Sequence, residues 1–99
     1  MITWYRTSSI APGKLGKALA FAQEVSAYVK KKTGVELRVG MPIGGNPHRI
    51  GWSAQYEDLG ALEATMTKLT SDSKYHEILA KSADLFIAGS AHDEMWRSL

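Results

Sequence analysis

Residues His48 to Tyr56, HRIGWSAQY, decide the fold because their side chains alternate between two kinds along the whole segment. The first set is apolar or aromatic and comprises Ile50, Trp52, Ala54 and Tyr56. The second set is small or polar and comprises Arg49, Gly51, Ser53 and Gln55. A period of two is typical of a β-strand that buries one face and leaves the other more polar. The segment therefore predicts a strand with one buried face.

The preceding residues, Val35 to Ile43, alternate in the same way, with a large apolar side chain at every second position. Between the two segments, Gly44-Gly45-Asn46-Pro47 predicts a turn, since glycine and proline supply the backbone geometry of loops. No helix start follows these glycines and the lysine of a P-loop is absent, so they do not indicate a phosphate-binding loop. The two strands are predicted to form a hairpin.

A helical pattern precedes the hairpin. From about Lys14 to Lys32 apolar residues recur at steps of three and four, which predicts a helix with one buried stripe. The expected stripe comprises Leu15, Ala18, Leu19, Ala22, Val25 and Val29. The lysines at 30–32 suit the negative end of the helix dipole, and Gly34 is expected to end the helix. The same lysine run is typical of a solvated helix end.

A second helical region follows the hairpin. Asp58 predicts an N-cap for a helix over residues 59–70. The expected buried residues of this helix are Leu59, Leu62, Met66 and Leu69. Ser71 to Ser73 interrupts the pattern and caps a third helix, predicted from residue 74 to about residue 87.

The ends of the chain complete the architecture. Residues 2–9 are rich in β-branched and aromatic types and predict a first strand, and the segment 90–99 predicts a last one. The order β-α-β-β-α-β, with its second helix broken in two, is typical of an α+β ferredoxin-like domain that here takes in residues 1–99. Right-handed crossovers would place the helices on one face of a four-stranded antiparallel sheet.

Composition narrows the classes of function. The net charge of +2 is too small to predict a nucleic-acid partner, and no apolar run is long enough to cross a membrane. The chain has no cysteine, which excludes disulfides, thiol catalysis and zinc–thiolate sites. The N-terminal residues lack the pattern of a secretory signal, so we expect a cytoplasmic protein.

The sheet face away from the helices has two possible fates. Its expected occupants are Thr3, Tyr5, Thr7, Arg38, Arg49, Ser53 and Gln55, with one parity of the last strand. An antiparallel sheet can leave such a face in water, or a second copy can cover it about a two-fold axis. Three tryptophans and four tyrosines favour the homodimer, because each such ring brings on the order of 150–250 Å² to bury.

Three segments resemble the dimeric α/β-barrel superfamily and its small NIPSNAP-like proteins. They are ITWYRTSSIAPGK, LRVGMPIGGNPHRIGWSAQYEDLGALE and SDSKYHEILAKSADLFIAGSAHDEMWR. The resemblance implies a homodimer whose two sheets curve into a barrel, with a pocket between sheet and helices in each subunit. Relatives in the superfamily include cofactor-independent monooxygenases and haem-degrading enzymes. The haem-degrading relatives carry an asparagine on the first strand and a tryptophan on the second helix, and this chain has neither, so we expect no cofactor.

The candidate site residues each have a structural alternative. His76 could move a proton as the catalytic residue, or it could be an ordinary surface histidine beside Lys74 and Glu77. Trp52, with Trp4, could line an apolar pocket or belong to the core.

Tyr5, Arg6, Arg38 and Arg49 could bind an anionic ligand, because guanidinium groups pair bidentately with carboxylates. They could equally form cross-strand ion pairs with Glu36, Asp93 or Glu94. The sequence HDE at 92–94 offers one histidine and one carboxylate on the same strand face, which is too few ligands to predict a metal site.

Two functions remain open at this level. The first is a small-molecule-binding protein or enzyme with a pocket near Tyr5, Trp52 and His76, whose sharpest version is a cofactor-independent monooxygenase for an aromatic substrate. The second is a non-catalytic structural or interaction homodimer. A closed apolar cavity with a few polar groups would favour the first, and a cavity filled by side chains would favour the second.

Overall fold

A computed structural model describes residues 1–99 as four strands and three helices. The strands are β1 (Ile2–Ser9), β2 (Arg38–Gly40), β3 (Arg49–Tyr56) and β4 (His92–Arg97), and the helices are α1 (Leu15–Thr33), α2 (Leu59–Thr70) and α3 (Ser73–Ala80). The strands form one antiparallel sheet in the order β2-β3-β1-β4. The ferredoxin-like α+β prediction is confirmed.

The register between β1 and β3 determines which side chains face the helices. Trp4 lies opposite Ala54, and Arg6 lies opposite Trp52. Directly opposite residues of an antiparallel pair share a face, so even-numbered residues of both strands point toward the helices. We call this side the helix-facing side and the other the open face. The buried set predicted on β3 is confirmed, since Ile50, Trp52, Ala54 and Tyr56 are each no more than 9% exposed.

The core joins α1 to the helix-facing side of the sheet. Its α1 members are Ala18, Phe21, Ala22, Val25 and Val29. Phe86 packs edge-on against both Phe21 and Trp52, with ring centroids 5.9 and 5.8 Å apart. Such aromatic pairs contribute about 0.5–1.5 kcal/mol beyond the apolar area that they bury. None of the helices is both long and apolar enough to cross a bilayer.

Three predicted helix ends are confirmed, namely the start of α2 at Asp58, the start of α3 within residues 71–73 and the end of α1 at Gly34. Asp58 caps α2 by accepting a hydrogen bond of 2.8 Å from the backbone N–H of Ala61. Asp72 caps α3 by accepting one of 3.0 Å from the backbone N–H of Tyr75. Gly34 ends α1 in the left-handed conformation, with φ at 78°. Glycine adopts that conformation without the steric penalty that a Cβ brings.

The predicted extent of β2 is wrong. A strand was expected over residues 35–43, but only Arg38, Val39 and Gly40 pair with β3. Val35 and Leu37 pack against the core outside the ladder, whereas Ile43 is fully exposed. Pro42 lacks the N–H that a longer ladder would use, so the alternating pattern continues past the end of the pairing.

The predicted end of α3 is also wrong. The helix was expected to reach about residue 87, but it ends at Ala80 and a connection over residues 81–91 leads to β4. Part of that connection pairs with the residues that follow the end of β1, through a bridge between Ile10 and Phe86. The N–H of Ile87 donates to the carbonyl of Ser9 at 2.9 Å, and the N–H of Ala11 donates to the carbonyl of Leu85 at 2.9 Å. These long-range hydrogen bonds replace helical ones, which a local periodicity cannot reveal.

Some predicted stripe residues are exposed. Leu15 and Leu59 are each 48% exposed and Met66 is 37% exposed, although all three were expected to be buried. Each occupies the first turn or the outer edge of its stripe. Phe21 is buried although the predicted stripe omitted it.

Candidate functional site

A cavity of about 170 Å³ lies between the helix-facing side of the sheet and the helices. Five aromatic side chains form most of its wall, namely Trp4, Phe21, Trp52, Tyr75 and Phe86. A smaller cavity of about 40 Å³ shares Trp4, Arg6, Leu37 and Tyr75 with it and reaches toward α2. The site is therefore a mostly apolar and aromatic recess with a few polar groups, which is the usual composition of a small-molecule pocket.

Arg6 brings the one charged side chain into the cavity wall. It lies directly across the strands from Asp93 on β4. Its Nε and Nη2 atoms donate to Oδ1 and Oδ2 of Asp93 at 2.6 and 2.8 Å, which makes a bidentate pair. This hydrogen-bonded pairing raises the pKa of Arg6 and lowers the pKa of Asp93, so both groups are charged at neutral pH.

The Arg6 guanidinium also lies over the indole of Trp4. Its Cζ atom is 5.3 Å from the ring centroid, within the range of a cation–π contact. With the carboxylate of Asp93 on one edge and an aromatic face beneath it, the guanidinium is held in one orientation. Its Nη1 group is not used by Asp93.

Tyr75 projects from the first turn of α3 into both cavities. Burial raises the pKa of its hydroxyl, and the positive charge of Arg6 offsets only part of that rise. The phenol is therefore neutral at pH 7 and available as a hydrogen-bond donor.

Trp52 carries an unpaired polar atom in this region. Its side chain is 7% exposed and lines the cavity, and its buried Nε1–H has no hydrogen-bond partner within the chain. A buried donor left unpaired costs about 1–3 kcal/mol, so such groups are uncommon without a reason. Ser8, also 7% exposed, adds a hydroxyl to the same wall.

The structure brings the four predicted ligand-binding residues around one recess of about 480 Å³, which is lined by Tyr5, Arg38, Arg49 and Trp52. This recess opens on the open face and shares only Arg6 and Trp52 with the aromatic-walled cavity. His76 lines neither of them, so the structure does not join it to the other predicted residues. The roles predicted for these residues stay predictions.

Arg6 also lines the recess that holds Tyr5, Arg38 and Arg49, so the predicted grouping is present in the structure. Arg6 in addition forms the cross-strand ion pair with Asp93 that the alternative interpretation allowed. Whether the group binds an anion stays a prediction.

His76 lies on the outer side of α3. Its side chain is exposed, and its Nε2 atom is 2.7 Å from the carbonyl oxygen of Thr70. It stands edge-on to Tyr75, at 6.1 Å between ring centroids, but it does not line the cavity.

Sequence reasoning missed two residues of the cavity wall, Tyr75 and Phe86, and named Asp93 only as one possible ion-pair partner. A usable signal existed for Arg6. Arg6 alternates with Ile2 and Trp4 along β1 and therefore lies on the same face of the strand. A charged side chain on a face that is otherwise apolar is unusual and could have indicated the site.

The open face carries a separate polar arrangement. One row across the sheet reads Arg38, Ser53, Tyr5 and Glu94. Glu94 accepts hydrogen bonds from the indole of Trp96 at 2.9 Å and bonds the His92 ring at 3.0 Å. Both hydrogen bonds lower the pKa of Glu94, and the one from the Trp96 indole has the larger effect. No three His, Asp or Glu side chains come together as metal ligands would.

Known protein families and curated proteins give no match to this chain. Solved structures do. An uncharacterized NIPSNAP domain protein from Burkholderia xenovorans superposes with a TM-score of 0.85 at 16% identity, over 100% of this chain and 95% of that one. The chain has the NIPSNAP-like fold.

Other structures extend the NIPSNAP-like comparison. Protein Atu4242 from Agrobacterium tumefaciens matches with a TM-score of 0.83 at 19% identity, over 100% of this chain and 94% of that one. A candidate antibiotic biosynthesis monooxygenase from Deinococcus radiodurans matches with a TM-score of 0.72 at 10% identity, over 99% and 92%. At these identities the likeness establishes the fold, and the chemistry of the site has to come from this chain's own residues.

Proposed function

We propose that this protein binds a small, mostly apolar molecule in the aromatic-walled cavity, and that it acts as a homodimer joined through the open face. The cavity is the observation that supports the binding function. Its volume of about 170 Å³ is close to the roughly 150 Å³ at which an apolar protein cavity accommodates benzene. A ligand with one aromatic ring fits both that volume and those walls.

Binding is better supported than catalysis. A general base works best when its pKa lies near the working pH. Here the carboxylate bonded to Arg6 has a lowered pKa and the Tyr75 hydroxyl has a raised one, so both move away from neutrality. A monooxygenase, the class named for the Deinococcus protein, is the enzymatic version of the proposal.

The homodimer is supported by the open face. Two large aromatic side chains on it are left uncovered, Tyr5 at 46% exposure and Trp96 at 62%. They lie near the middle of the sheet and on its β4 edge, among polar side chains that could form hydrogen bonds across a two-fold axis. Four strands can supply the roughly 800 Å² per partner of a standard interface.

A titration with isopropylbenzene, followed by protein NMR, tests the binding function. We expect shifts confined to residues that line the cavity. The variant Ala91→Phe should abolish them, because Ala91 is an exposed residue of the cavity wall and a ring there would fill the recess. Ala88→Phe is the matched control, since Ala88 is exposed on the same connection and lies outside the wall. Equal binding by both variants, or no binding by the parent protein, would contradict the proposal.

Sedimentation velocity tests the homodimer. Ser53→Glu should convert the dimer to monomers, because it places a carboxylate at the middle of the open face. Arg38 lies directly opposite position 53 within the subunit, so the fold itself should tolerate the new charge. Gln23→Glu adds the same charge to an exposed position on α1 and should leave the dimer intact. A stable monomer at all concentrations would contradict this half of the proposal. A dimer that binds no ligand would favour the non-catalytic interaction module.

A further inference from the structure

We infer that the ligand of the cavity is a neutral aromatic molecule that carries a carbonyl-type oxygen. This inference rests on the proposed binding function and names the chemical class that the same site selects. It follows from the hydrogen-bonding character and the charge of the polar groups in the cavity wall.

Every polar side chain in the wall carries a hydrogen-bond donor. Trp52 lines the cavity and carries a buried N–H with no partner, and an indole N–H can only donate. Arg6 contributes the N–H groups of Nη1 that Asp93 leaves unused, and guanidinium has no acceptor. Tyr75 adds a neutral phenol. An oxygen with two lone pairs is the complementary ligand group, and an apolar ligand would leave the Trp52 donor unsatisfied.

The charge of the wall disfavours an anion. Arg6 is the only cation in the wall, and Asp93 already neutralises it at 2.6 Å. A carboxylate ligand would share one guanidinium with a second carboxylate, and two like charges at one site oppose each other. A cationic ligand would face the guanidinium itself and an indole N–H. A neutral acceptor avoids both of these unfavourable charge interactions.

Three ring compounds of nearly equal shape separate these possibilities. They are acetophenone as the neutral acceptor, isopropylbenzene as the apolar isostere and benzoate as the anion. We expect acetophenone to bind about three- to tenfold more tightly than isopropylbenzene, the gain from one satisfied hydrogen bond in a buried site. Benzoate should bind more weakly than acetophenone.

The indole N–H resonance of Trp52, identified by its loss in Trp52→Phe, provides a direct readout. Acetophenone should move it downfield at an occupancy where isopropylbenzene moves it less. In Trp52→Phe, the ratio of the acetophenone affinity to the isopropylbenzene affinity should fall toward one. Tyr75→Phe, a half-buried position that tolerates the loss of a hydroxyl, gives a second test should Trp52→Phe not fold. It should reduce the same ratio, and Tyr5→Phe on the open face should not.

The possible results test the ligand class separately from the proposed binding function. Isopropylbenzene binding as tightly as acetophenone, or benzoate binding more tightly, overturns the ligand class and leaves the cavity as a binding site. Failure of all three compounds to shift any cavity residue overturns both. A preference for acetophenone that survives both Trp52→Phe and Tyr75→Phe overturns the assignment of those two donors as its source.

Discussion

The two sides of the sheet are built from the same four strands but differ in how far their side chains are buried. The helix-facing side buries Ile50, Trp52 and Ala54, and its one ion pair is bidentate and packed against an indole. The open face also holds polar and charged groups, and its His92–Glu94 pair is more exposed, with side chains 68% and 50% exposed against 37% and 43% for Arg6 and Asp93. The two pairs therefore differ in degree of exposure, and the pair beside the aromatic wall is expected to contribute more to stability.

The largest difference between the two sides should appear in stability. Ile50 is fully buried on the helix-facing side, so Ile50→Ala should lower the free energy of unfolding by about 2–5 kcal/mol. Gln55→Ala, an exposed position on the open face of the same strand, should change it by less than about 0.5 kcal/mol. Urea unfolding measures both. Similar losses at the two positions would remove the distinction between the faces.

A second pair of variants uses neighbouring residues of β4. Met95 and Trp96 are similarly exposed, at 59% and 62%, but they lie on opposite faces. Trp96→Ala should weaken dimerisation by about 5- to 30-fold, since an aromatic side chain in an interface contributes on the order of 1–2 kcal/mol. Met95→Ala should leave the dimer unchanged. Sedimentation equilibrium of both variants decides the matter, and equal effects would mean that the open face is not the interface.

The stabilisation that the Arg6–Asp93 ion pair gives to the fold should depend on pH. The pKa of Asp93 is lower in the folded chain than its unfolded value of about 3.9, so the pair stabilises the fold above that pH. The stabilisation is lost as the pH falls through the folded pKa. Asp93→Asn should therefore cost about 1 kcal/mol at pH 7, a value reduced for the partial exposure of the pair, and progressively less as the pH falls below about 3.9 toward the folded pKa.

Glu94→Gln is the matched acid-to-amide change on the open face. Its pKa is also lowered, but its partners are exposed, so its effect on urea unfolding at pH 7 should be smaller than that of Asp93→Asn. An equal or larger effect would show that the aromatic wall beside Arg6 adds nothing to the stability gained from the ion pair.

The smallest expected effect is that of His76→Ala. The ring lies outside the cavity wall and contacts only the carbonyl of Thr70 and the edge of Tyr75. We expect ligand affinity to change by less than twofold, measured by the same NMR titration. A large loss of affinity or of turnover with the fold intact would restore the catalytic role that the sequence first suggested.

Local features of the sequence predicted most of the fold. The alternation on β3, the caps Asp58 and Asp72, and the stop at Gly34 each depend on residues within one turn or strand of one another, and each is confirmed. The errors lie where distant segments compete for hydrogen bonds. Residues 85–87 pair with residues 9–11, so α3 ends earlier than its periodicity indicates.

The candidate site was less predictable than the fold. Arg6 and Asp93 are far apart in sequence and meet only because β1 and β4 are neighbours in a particular register. The predicted grouping of Arg6 with Tyr5, Arg38 and Arg49 matches one recess, but it did not show that Arg6 also enters the wall of the aromatic-walled cavity. A register is a property of the assembled sheet, and a one-residue shift would have exchanged the two faces.

The connection between α3 and β4 supplies Ser82, Phe86 and Ala91 to the cavity wall, while the sheet supplies its floor. Substitutions or insertions in such a surface connection are tolerated far better than changes in the strands. The selectivity of the recess can therefore diversify through residues 81–91 alone, with Arg6, Asp93 and the packed strands retained as a fixed frame. Proteins that share this architecture and differ in this one connection would be free to recognise quite different compounds.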